Sequence, residues 1–296
     1  MSAPSKNLLT IVSPCFNEAR NLEALLPDWL EFCRAHSLRL ILVDDGSTDD
    51  TQALLRKQAS QKKLCVIRHK VNRGYGAAIK SGIKEVLTPY GATMDADGQH
   101  DPREVLRLLA GLRSGGPDMV IGRRKYGAPR FLFRSLGKGL IRLLVRYLFS
   151  RKFYDLNSGM KVFRADLAKK HMGICPDSMA FSEIFALVFV NNGHLVEEQA
   201  VSVGRRRSGS STIRLRTAFQ TVWKIVIIAT LFKPAKIFLP LSALLFLAGV
   251  GWEIPILLAQ RGISVGASLL IILAILFMLL GLIAEQLSVL MKSRLE

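Results

Sequence analysis

The chain has 296 residues, half of them hydrophobic, and a formal net charge of +18 at pH 7. This length suggests one large domain or two smaller ones. Its four cysteines show neither CxxC nor Cys/His spacing, which excludes a recognisable zinc motif and favours reduced thiols over a disulfide framework.

The positive charge is concentrated in one part of the chain. From Arg123 to Lys170 there are 14 Lys and Arg residues against only Asp155 and Asp166, a local net charge of +12. Such a field attracts phosphate-rich partners, which include nucleic acid, anionic lipid headgroups and phosphorylated substrates. Because the basic positions alternate with aliphatic residues beside apolar C-terminal segments, we expect membrane lipid and no nucleic acid.

Residues 1–212 read as an α/β domain. Short β-favouring segments alternate with helical ones. Strands are predicted over residues 8–13, 38–43, 64–69, 92–94 and 119–121, and helices over 18–34, 49–60, 76–87 and 102–113. The alternation predicts a mainly parallel, Rossmann-like sheet with helices on both faces. Ligands of such sheets bind beyond the carboxyl ends of the strands.

Two apolar segments follow near the C-terminus. Residues 237–259 are apolar apart from Glu253, and residues 263–284 carry no charge. Each is long enough to cross a hydrocarbon core of about 30 Å as a helix. We predict a transmembrane hairpin over residues 236–289, with a tight turn at 260–262 and a tail over 290–296. A buried pair of core helices is the alternative, but the second run is too long and uniform for it.

Flanking charge gives an expected orientation. Lys233 and Lys236 precede the first span, and Lys292 and Arg294 follow the second. The positive-inside rule places both outer ends, and with them the N-terminal domain, in the cytoplasm. The polar segment 1–7 has no apolar signal region, which agrees with this placement.

Two segments are expected at the membrane interface. In residues 134–149 basic side chains recur every four positions, at Arg134, Lys138, Arg142 and Arg146. A basic amphipathic helix of this kind lies in the headgroup plane, while a solvated face of a domain helix is the alternative. Residues 213–235 mix basic, aromatic and aliphatic side chains and predict an amphipathic juxtamembrane helix.

The clearest chemical motif is Asp95-Ala96-Asp97-Gly98-Gln99, directly after an apolar strand. Two carboxylates and an amide oxygen at alternate positions can meet one hard cation, and Mg²⁺ and Mn²⁺ prefer such ligands. A metal ion held there would neutralise charge on a departing nucleoside diphosphate. The motif therefore predicts a metal site formed by Asp95, Asp97 and Gln99.

Three other motifs end strands or open helices near the same crevice. Asp44 and Asp45 can accept hydrogen bonds from a base or ribose, and the Ser47/Thr48 region can cap the next helix. The segment 14–18 ends the first strand. In the segment 72–78 the glycines permit close backbone approach to a ligand, although a tight turn would also explain them.

Together these motifs, over residues 8–125, resemble family 2 glycosyltransferases of the GT-A fold. The polyprenyl-phosphate glycosyltransferases are the most similar subgroup, with dolichol-phosphate mannose synthases and bacterial undecaprenyl-phosphate sugar transferases as examples. This narrower resemblance rests on Gly122-Arg123, on residues 155–159 with Arg164, on residues 206–211, and on the hairpin ending at 281–285.

The resemblance implies roles for individual residues. The implied metal ligands are Asp95, Asp97 and Gln99, and the implied catalytic residues are Asp97, Arg123 and Arg134. The nucleotide pocket would be lined by Pro14, Phe16, Glu18, Asp45 and Asp95. Contacts with the phosphates or the acceptor would come from Lys138, Arg206 and Ser211. Ser211 belongs to an Arg-x-x-Gly-x-Ser-Lys loop, in which Thr212 here replaces the lysine. Lys138 stands where mannose synthases often have a small hydroxyl residue.

The resemblance also implies an activity. We expect an inverting transfer of one sugar from a UDP- or GDP-linked donor to a polyprenyl phosphate, with Mg²⁺ or Mn²⁺, at the cytoplasmic face of a bacterial inner membrane. A homo-oligomer through the apolar helices is left open. The alternatives are a non-catalytic, lipid-binding membrane scaffold that retains the fold and a glycosyltransferase with another acceptor. A processive synthase is disfavoured because residues 220–223 do not form Gln-x-x-Arg-Trp.

Overall fold

The computed structural model of the chain describes residues 8–124, 146–148, 153–204, 227, 230 and 232–293. The chain divides into two compact units. The first comprises Met1–Ser135 and Lys152–Ile213, and the second comprises Leu136–Arg151 and Arg214–Glu296.

The strands are β1 Leu9–Cys15, β2 Arg39–Asp44, β3 Leu64–Arg68, β4 Tyr90–Thr93, β5 Met119–Arg124, β6 Lys161–Arg164 and β7 Val196–Val201. The helices are α1 Ala19–Ala35, α2 Thr51–Gln58, α3 Tyr75–Lys84, α4 Pro102–Arg113, α5 Ala165–His171, α6 Phe181–Asn191, α7 Ala235–Leu258 and α8 Val265–Ser293, with a 3₁₀ turn at Met172–Ile174. Every strand and helix predicted up to residue 121 is present, and the ends differ by at most three residues.

The seven strands of the first unit form one mixed sheet in the order β3-β2-β1-β4-β6-β5-β7. Strand β6 is antiparallel to β4 and β5, and the other pairs are parallel. The apolar sequences of β1 and β2 are buried, as expected for parallel strands covered on both faces. This confirms the predicted α/β fold.

This topology brings the sequence motifs to one edge of the sheet. The carboxyl ends of β1, β2, β4 and β5 share that edge, and the chain order reverses between β1 and β4, where such sheets bind ligands. Because β6 runs in the opposite direction, its first residue, Lys161, lies at the same edge. In the strand register Lys161 pairs with Thr93 on one side and Ile121 on the other.

The start of α4 shows how the chain turns away from this edge. Asp101 is the N-cap, its side chain accepts a hydrogen bond of 2.8 Å from the backbone N–H of Arg103, and Pro102 occupies the first turn. An aspartate cap followed by proline is a favourable helix start. The predicted opening of a helix at Asp101-Pro102 is therefore confirmed.

In the second unit, α7 and α8 form an apolar hairpin. Both helices are long and apolar enough to cross a membrane. Positive φ angles at Gln260 (+50°) and Gly262 (+84°) produce the tight turn that the sequence predicted. At Gly249 an added Cβ would lie 2.8 Å from the Ile271 side chain, so the glycine lets the two helices pack closely.

Two glutamates of the hairpin accept hydrogen bonds from its backbone. Glu285 on α8 accepts a hydrogen bond of 3.1 Å from the backbone N–H of Ala235, the first residue of α7. Glu253 on α7 accepts one of 3.1 Å from the backbone N–H of Ser264, directly before α8. Each glutamate thus serves the amino end of the opposite helix, where unpaired backbone amides favour an anion.

Parts of the predicted interfacial segments lie outside the described residues. Of residues 134–149 the structure describes 146–148, which are helical, with Arg146 exposed and Leu148 buried. Arg134, Lys138 and Arg142 are not among the described residues. Within the second unit the Tyr147 hydroxyl donates a hydrogen bond of 2.8 Å to the carbonyl of Lys236.

Candidate active site

The loops after β1 and β2 form one wall of the candidate site. Asn17 adopts a left-handed backbone conformation (φ +56°), which asparagine tolerates. Its side-chain oxygen accepts a hydrogen bond of 2.8 Å from the backbone N–H of Thr48, and its own N–H donates to the Ser47 hydroxyl at 3.0 Å. Ser47 and Thr48 therefore tie the two loops together. The expected capping is not observed, because α2 begins after Asp50 without a side-chain cap.

The predicted nucleotide-pocket residues of this wall differ in exposure. Phe16 is exposed at 42%, whereas Pro14 and Glu18 are half-buried. The Glu18 carboxylate accepts a hydrogen bond from the Asn21 side chain, and the backbone N–H of Glu18 donates to the Thr51 hydroxyl at 3.0 Å. Their contact with a nucleotide remains a prediction.

Asp45 is buried, and both of its carboxylate oxygens accept hydrogen bonds from the protein. Oδ1 accepts from the backbone N–H of Arg73 at 3.0 Å and lies 2.6 Å from Nδ1 of His69. Oδ2 accepts from the backbone N–H of Gly74 at 2.8 Å. Asp45 thus holds the loop before α3 in place, and its contact with a nucleotide stays a prediction.

The glycines at the start of α3 and just before it pack directly against another backbone segment of the same chain. Gly74 has φ +100°, and a Cβ there would lie 2.5 Å from the carbonyl oxygen of Asp177. The same carbonyl accepts hydrogen bonds from the N–H groups of Gly76 (2.8 Å) and Ala77 (3.3 Å). The glycines therefore pack against residues 176–178, and the close approach to a ligand expected of them remains a prediction.

The side chain of Asp95, just beyond β4, is held between Tyr75 and Gly159. The Tyr75 hydroxyl donates a hydrogen bond of 2.9 Å to Oδ1. A Cβ at position 159 would overlap Oδ2 and lie 2.6 Å from Oδ1, so Gly159 is in direct contact with the carboxylate. The side chain of Asp95 keeps 33% of its surface exposed. It is therefore fixed on two sides and accessible on another.

Two neighbours of Asp95 have shifted proton affinities. Burial, followed by the charge of Asp95, raises the pKa of Tyr75 well above its ordinary value, so the phenol acts as a donor. Burial lowers the pKa of His100, although the charges of Asp95 and Asp97 oppose the shift. His100 Nε2 lies 3.8 Å from Asp95 Oδ2.

Asp97 turns the chain after the first carboxylate. Its Oδ1 accepts a hydrogen bond of 3.0 Å from the backbone N–H of Gln99, and Gly98 between them has φ +77°. The carbonyl of Gln99 accepts from the N–H of Gly204 at 2.8 Å. Sequence and structure thus place Asp95, Asp97 and Gln99 in one short loop at the carboxyl edge.

The oxygen ligands offered by Asp95, Asp97 and Gln99 fit a cation that is coordinated by the protein and by a substrate phosphate together. Over the described residues, no group of three or more His, Cys, Asp or Glu side chains could hold a metal ion by itself. Mg²⁺ is commonly bound by one or two carboxylates together with substrate phosphates. The partly exposed carboxylate of Asp95 beside Asp97 matches that pattern in chemical type.

Sequence reasoning missed Lys161. It is 1% exposed, and its Nζ donates to the carbonyl of Ser158 and, at 3.3 Å, to the Ser182 hydroxyl. Burial lowers the pKa of Lys161 to about 8, while the charges of Asp155 and then Asp95 oppose the shift. A lysine within the apolar Met-Lys-Val-Phe run was the available signal, because a charged residue in a buried strand needs partners.

Arg123 and Arg124, at the end of β5, have different partners. Arg124 forms a two-pronged ion pair with buried Asp155, with Nε–Oδ2 and Nη2–Oδ1 distances of 2.8 Å. Arg123 lies over the exposed ring of Tyr154, 5.2 Å from its centroid. Arg124 therefore anchors the 155–159 segment, and the phosphate-binding role expected for Arg123 remains a prediction.

Four predicted site residues cannot be placed. Arg134, Lys138, Arg206 and Ser211 lie outside the described residues, as does Thr212. The structure brings Pro14, Phe16, Glu18, Asp45, Asp95, Asp97, Gln99 and Arg123 to the same edge of the sheet.

Comparison with known families agrees with this architecture. The model of Glycosyl transferase family 2 matches residues 10–179, which is more than half of the chain, and the protein belongs to this family. It is therefore a glycosyltransferase. The GtrB C-terminal hairpin model matches residues 233–290, which contain α7 and most of α8.

The individual relatives share less than 30% sequence identity with this chain in the two examples that follow. An uncharacterised protein of Methanocaldococcus jannaschii is 29% identical over 227 residues, covering 73% of this chain and 96% of the relative. Undecaprenyl-phosphate 4-deoxy-4-formamido-L-arabinose transferase of Yersinia pestis is 26% identical over 289 residues, covering 95% and 86%.

Among solved structures, glucosyl-3-phosphoglycerate synthase of Mycobacterium tuberculosis has a similar fold. That structure contains Mn²⁺, UDP-glucose and phosphoglyceric acid. The TM-score is 0.56 at 17% identity, covering 74% of this chain and 78% of that one.

Proposed function

We propose that the protein transfers one sugar from a UDP- or GDP-linked donor to a polyprenyl phosphate, with inversion, at the cytoplasmic face of a bacterial inner membrane. The observation that carries this proposal is the partly exposed Asp95 carboxylate beside Asp97 at the carboxyl edge, held by Tyr75 and Gly159. The apolar hairpin and the name of the Yersinia pestis relative support the lipid acceptor. The ligands of the Mycobacterium tuberculosis structure support the donor and the metal.

The donor would bind between the β1 and β2 loops and the loop after β4. Pro14, Phe16 and Glu18 would line its base and ribose, and the exposed Phe16 ring offers an apolar face to a base. Asp45 would contribute to donor binding either by ordering the loop before α3 or by contacting the nucleotide directly. Asp95, Asp97 and Gln99 would hold Mg²⁺ or Mn²⁺, and when bound the cation supplies charge neutralisation at the donor diphosphate.

The acceptor needs little activation by the protein. A lipid monophosphate is largely ionised near pH 7, so its oxygen can attack the anomeric carbon without a strong general base. As the new carbon–oxygen bond forms, the bond to the diphosphate breaks and its electron pair leaves with the nucleoside diphosphate. Positioning and electrostatic stabilisation would supply most of the acceleration.

Basic residues would hold the acceptor phosphate. Arg123, oriented by the Tyr154 ring, is the described candidate. Arg134, Lys138, Arg206 and Ser211 are proposed on the resemblance alone. Attack in line with the leaving group inverts the anomeric configuration, and a product that retains the donor's configuration would contradict this mechanism.

The test uses purified full-length protein in detergent with undecaprenyl phosphate, a panel of labelled UDP- and GDP-sugars, and Mn²⁺ or Mg²⁺. We expect metal-dependent label in the lipid phase with one donor and at least a 100-fold loss in Asp97→Ala. Asp50→Ala is the matched control, because Asp50 is exposed and makes no side-chain cap on α2. A folded wild type that labels no lipid with any donor would favour the scaffold alternative.

Sidedness has its own test. Arg261→Cys in the turn between α7 and α8 should react with a membrane-impermeant maleimide in intact cells. Asp50→Cys in the first unit should react only after permeabilisation. The reverse pattern would place the first unit on the outer side and overturn the proposed orientation.

A further inference from the structure

We infer that Tyr75 is a positioning residue for Asp95, whose hydroxyl sets the carboxylate in the orientation that binds the divalent cation. This inference rests on the proposed function, because it concerns the metal site of that reaction. It assigns a role to the Asn72–Ala78 motif, whose glycines contact the chain's own backbone.

The geometry fixes the Asp95 carboxylate from two sides and leaves part of it accessible. The Tyr75 hydroxyl donates to Oδ1 at 2.9 Å. Gly159 lies against the carboxylate on a second side and blocks rotation in that direction. His100 Nε2 lies 3.8 Å from Oδ2, beyond hydrogen-bond distance. The Tyr75 hydroxyl and Gly159 therefore fix the carboxylate from two sides, and its remaining exposed surface, 33% of the side chain, is the part that can meet a cation.

The Tyr75 backbone is fixed on both sides. The N–H of Gly74 donates to Asp45 Oδ2 at 2.8 Å, and the N–H of Gly76 donates to the carbonyl of Asp177 at 2.8 Å. The tyrosine is therefore held by the Asp45 loop and by the segment before α6. A side chain anchored in this way can impose an orientation on its partner.

A buried polar network supports both sides of the Asp95 carboxylate. The side chain of Ser182 on α6 forms a hydrogen bond with the Tyr75 hydroxyl, and its own hydroxyl lies 3.3 Å from Lys161 Nζ. Lys161 donates in turn to the carbonyl of Ser158, which directly precedes Gly159. The same network thus supports the tyrosine that anchors Oδ1 and the backbone that contacts the other side of the carboxylate.

Partners of this kind tune metal affinity in known sites. Hydrogen bonds to a ligating carboxylate orient it, and their removal commonly reduces metal affinity 10- to 100-fold. Tyr75→Phe removes the hydroxyl and keeps the ring, so it isolates this contribution. We expect Mn²⁺ to bind the variant about 10- to 100-fold more weakly in the presence of a nucleoside diphosphate.

The experiment titrates Mn²⁺ into the purified full-length protein with UDP or GDP and follows free Mn²⁺ by electron paramagnetic resonance. The variants are Tyr75→Phe and, as matched control, Tyr90→Phe, which changes a tyrosine at the opposite end of β4. Sugar transfer is then measured against Mn²⁺ concentration. For a positioning role, the Mn²⁺ concentration for half-maximal transfer rises in Tyr75→Phe while the rate at saturating Mn²⁺ approaches that of the wild type.

The outcomes separate this inference from the proposed function. Equal Mn²⁺ affinity in wild type and Tyr75→Phe would overturn the inference and leave the proposed function intact. A rate that stays low at saturating Mn²⁺, or a loss of cooperative thermal unfolding, would show a structural role instead and also overturn it. A wild type that binds no Mn²⁺ with either nucleotide would overturn both.

Discussion

The Asp95 carboxylate occupies the space that a side chain at position 159 would need. A Cβ on Gly159 would overlap Oδ2 and Cγ of Asp95 and lie 2.6 Å from Oδ1. The contact joins the loop after β4 to the segment before β6, which are far apart in sequence. The orientation of Asp95 therefore depends on a glycine that no local motif marks as part of the metal loop.

Gly159→Ala should displace Asp95 and reduce sugar transfer. Because a shift of about 1 Å at a reacting centre can cost about 100-fold in rate, we expect a loss of that order. Transfer is measured at saturating donor, with thermal unfolding as a check on the fold. Gly173→Ala is the control, since a Cβ there meets nothing within 4 Å. Wild-type activity in Gly159→Ala would contradict the close contact.

Asp155→Ala should destabilise the first unit. The change leaves Arg124, which is 25% exposed, without the carboxylate that binds both Nε and Nη2. Breaking a buried pair by removing one partner typically costs about 3–5 kcal/mol, although the partial exposure of Arg124 reduces this. Thermal unfolding in detergent measures the loss.

Asp166→Ala is the comparison for that ion pair. Asp166 pairs with Arg164 at 2.7 Å, but both side chains are about half exposed or more (60% and 49%). Exposed pairs contribute about 0–1 kcal/mol, so the melting temperature should change little. Equal losses in Asp155→Ala and Asp166→Ala would refute the structural role given to Asp155.

Lys161 should make stability depend on alkaline pH. Its folded-state pKa of about 8 lies below the ordinary value of 10.5, so the unfolded chain binds more protons between these values. This contribution to stability therefore rises as the pH increases from about 8 to 10.5. The measurement compares melting temperatures of wild type and Lys161→Met across this range. The melting temperature of the wild type should rise relative to that of Lys161→Met as the pH increases. A difference in melting temperature that stays constant over this range would contradict the lowered pKa of Lys161.

Gly249→Leu should separate α7 from α8. A Cβ at position 249 already lies 2.8 Å from Ile271 and 3.2 Å from the Cβ of Leu270, so a larger side chain forces the helices apart. Overpacking of this kind costs about 1–3 kcal/mol. Gly251→Leu in the same helix is the control, because a Cβ there meets nothing within 4 Å. Equal thermal stability of the two variants in detergent would contradict the observed packing.

The first half of the fold could be predicted from the sequence because its signals are local. Strands such as Leu9–Cys15 are short apolar runs, and the motifs that follow them mark their carboxyl ends. The cap at Asp101-Pro102 fixed the start of α4 in the same way. The apolar hairpin was equally accessible, since length and hydropathy alone define its helices.

The rest of the site depends on contacts between distant segments. Strand β6 has only four residues, begins with Lys161 and runs antiparallel to its neighbours, so its pattern did not mark it as a buried strand. The hydrogen bond from Tyr75 to Asp95 likewise joins the start of α3 to the loop after β4. Ser47 and Thr48 match a helix cap when only their own segment is considered, whereas in the structure both bond to Asn17.

The most direct test of the account is the identity of the lipid product. Full-length protein is reconstituted with equal amounts of undecaprenyl phosphate and undecaprenol, and the accepted donor sugar and Mn²⁺ are added. Mass spectrometry then compares both lipids with the nucleoside diphosphate released. The account predicts one sugar added to the phosphorylated lipid alone, in equal amount to the nucleoside diphosphate, and no product with Asp97→Ala. Glycosylated undecaprenol, or nucleoside diphosphate released without any glycosylated lipid, would contradict it.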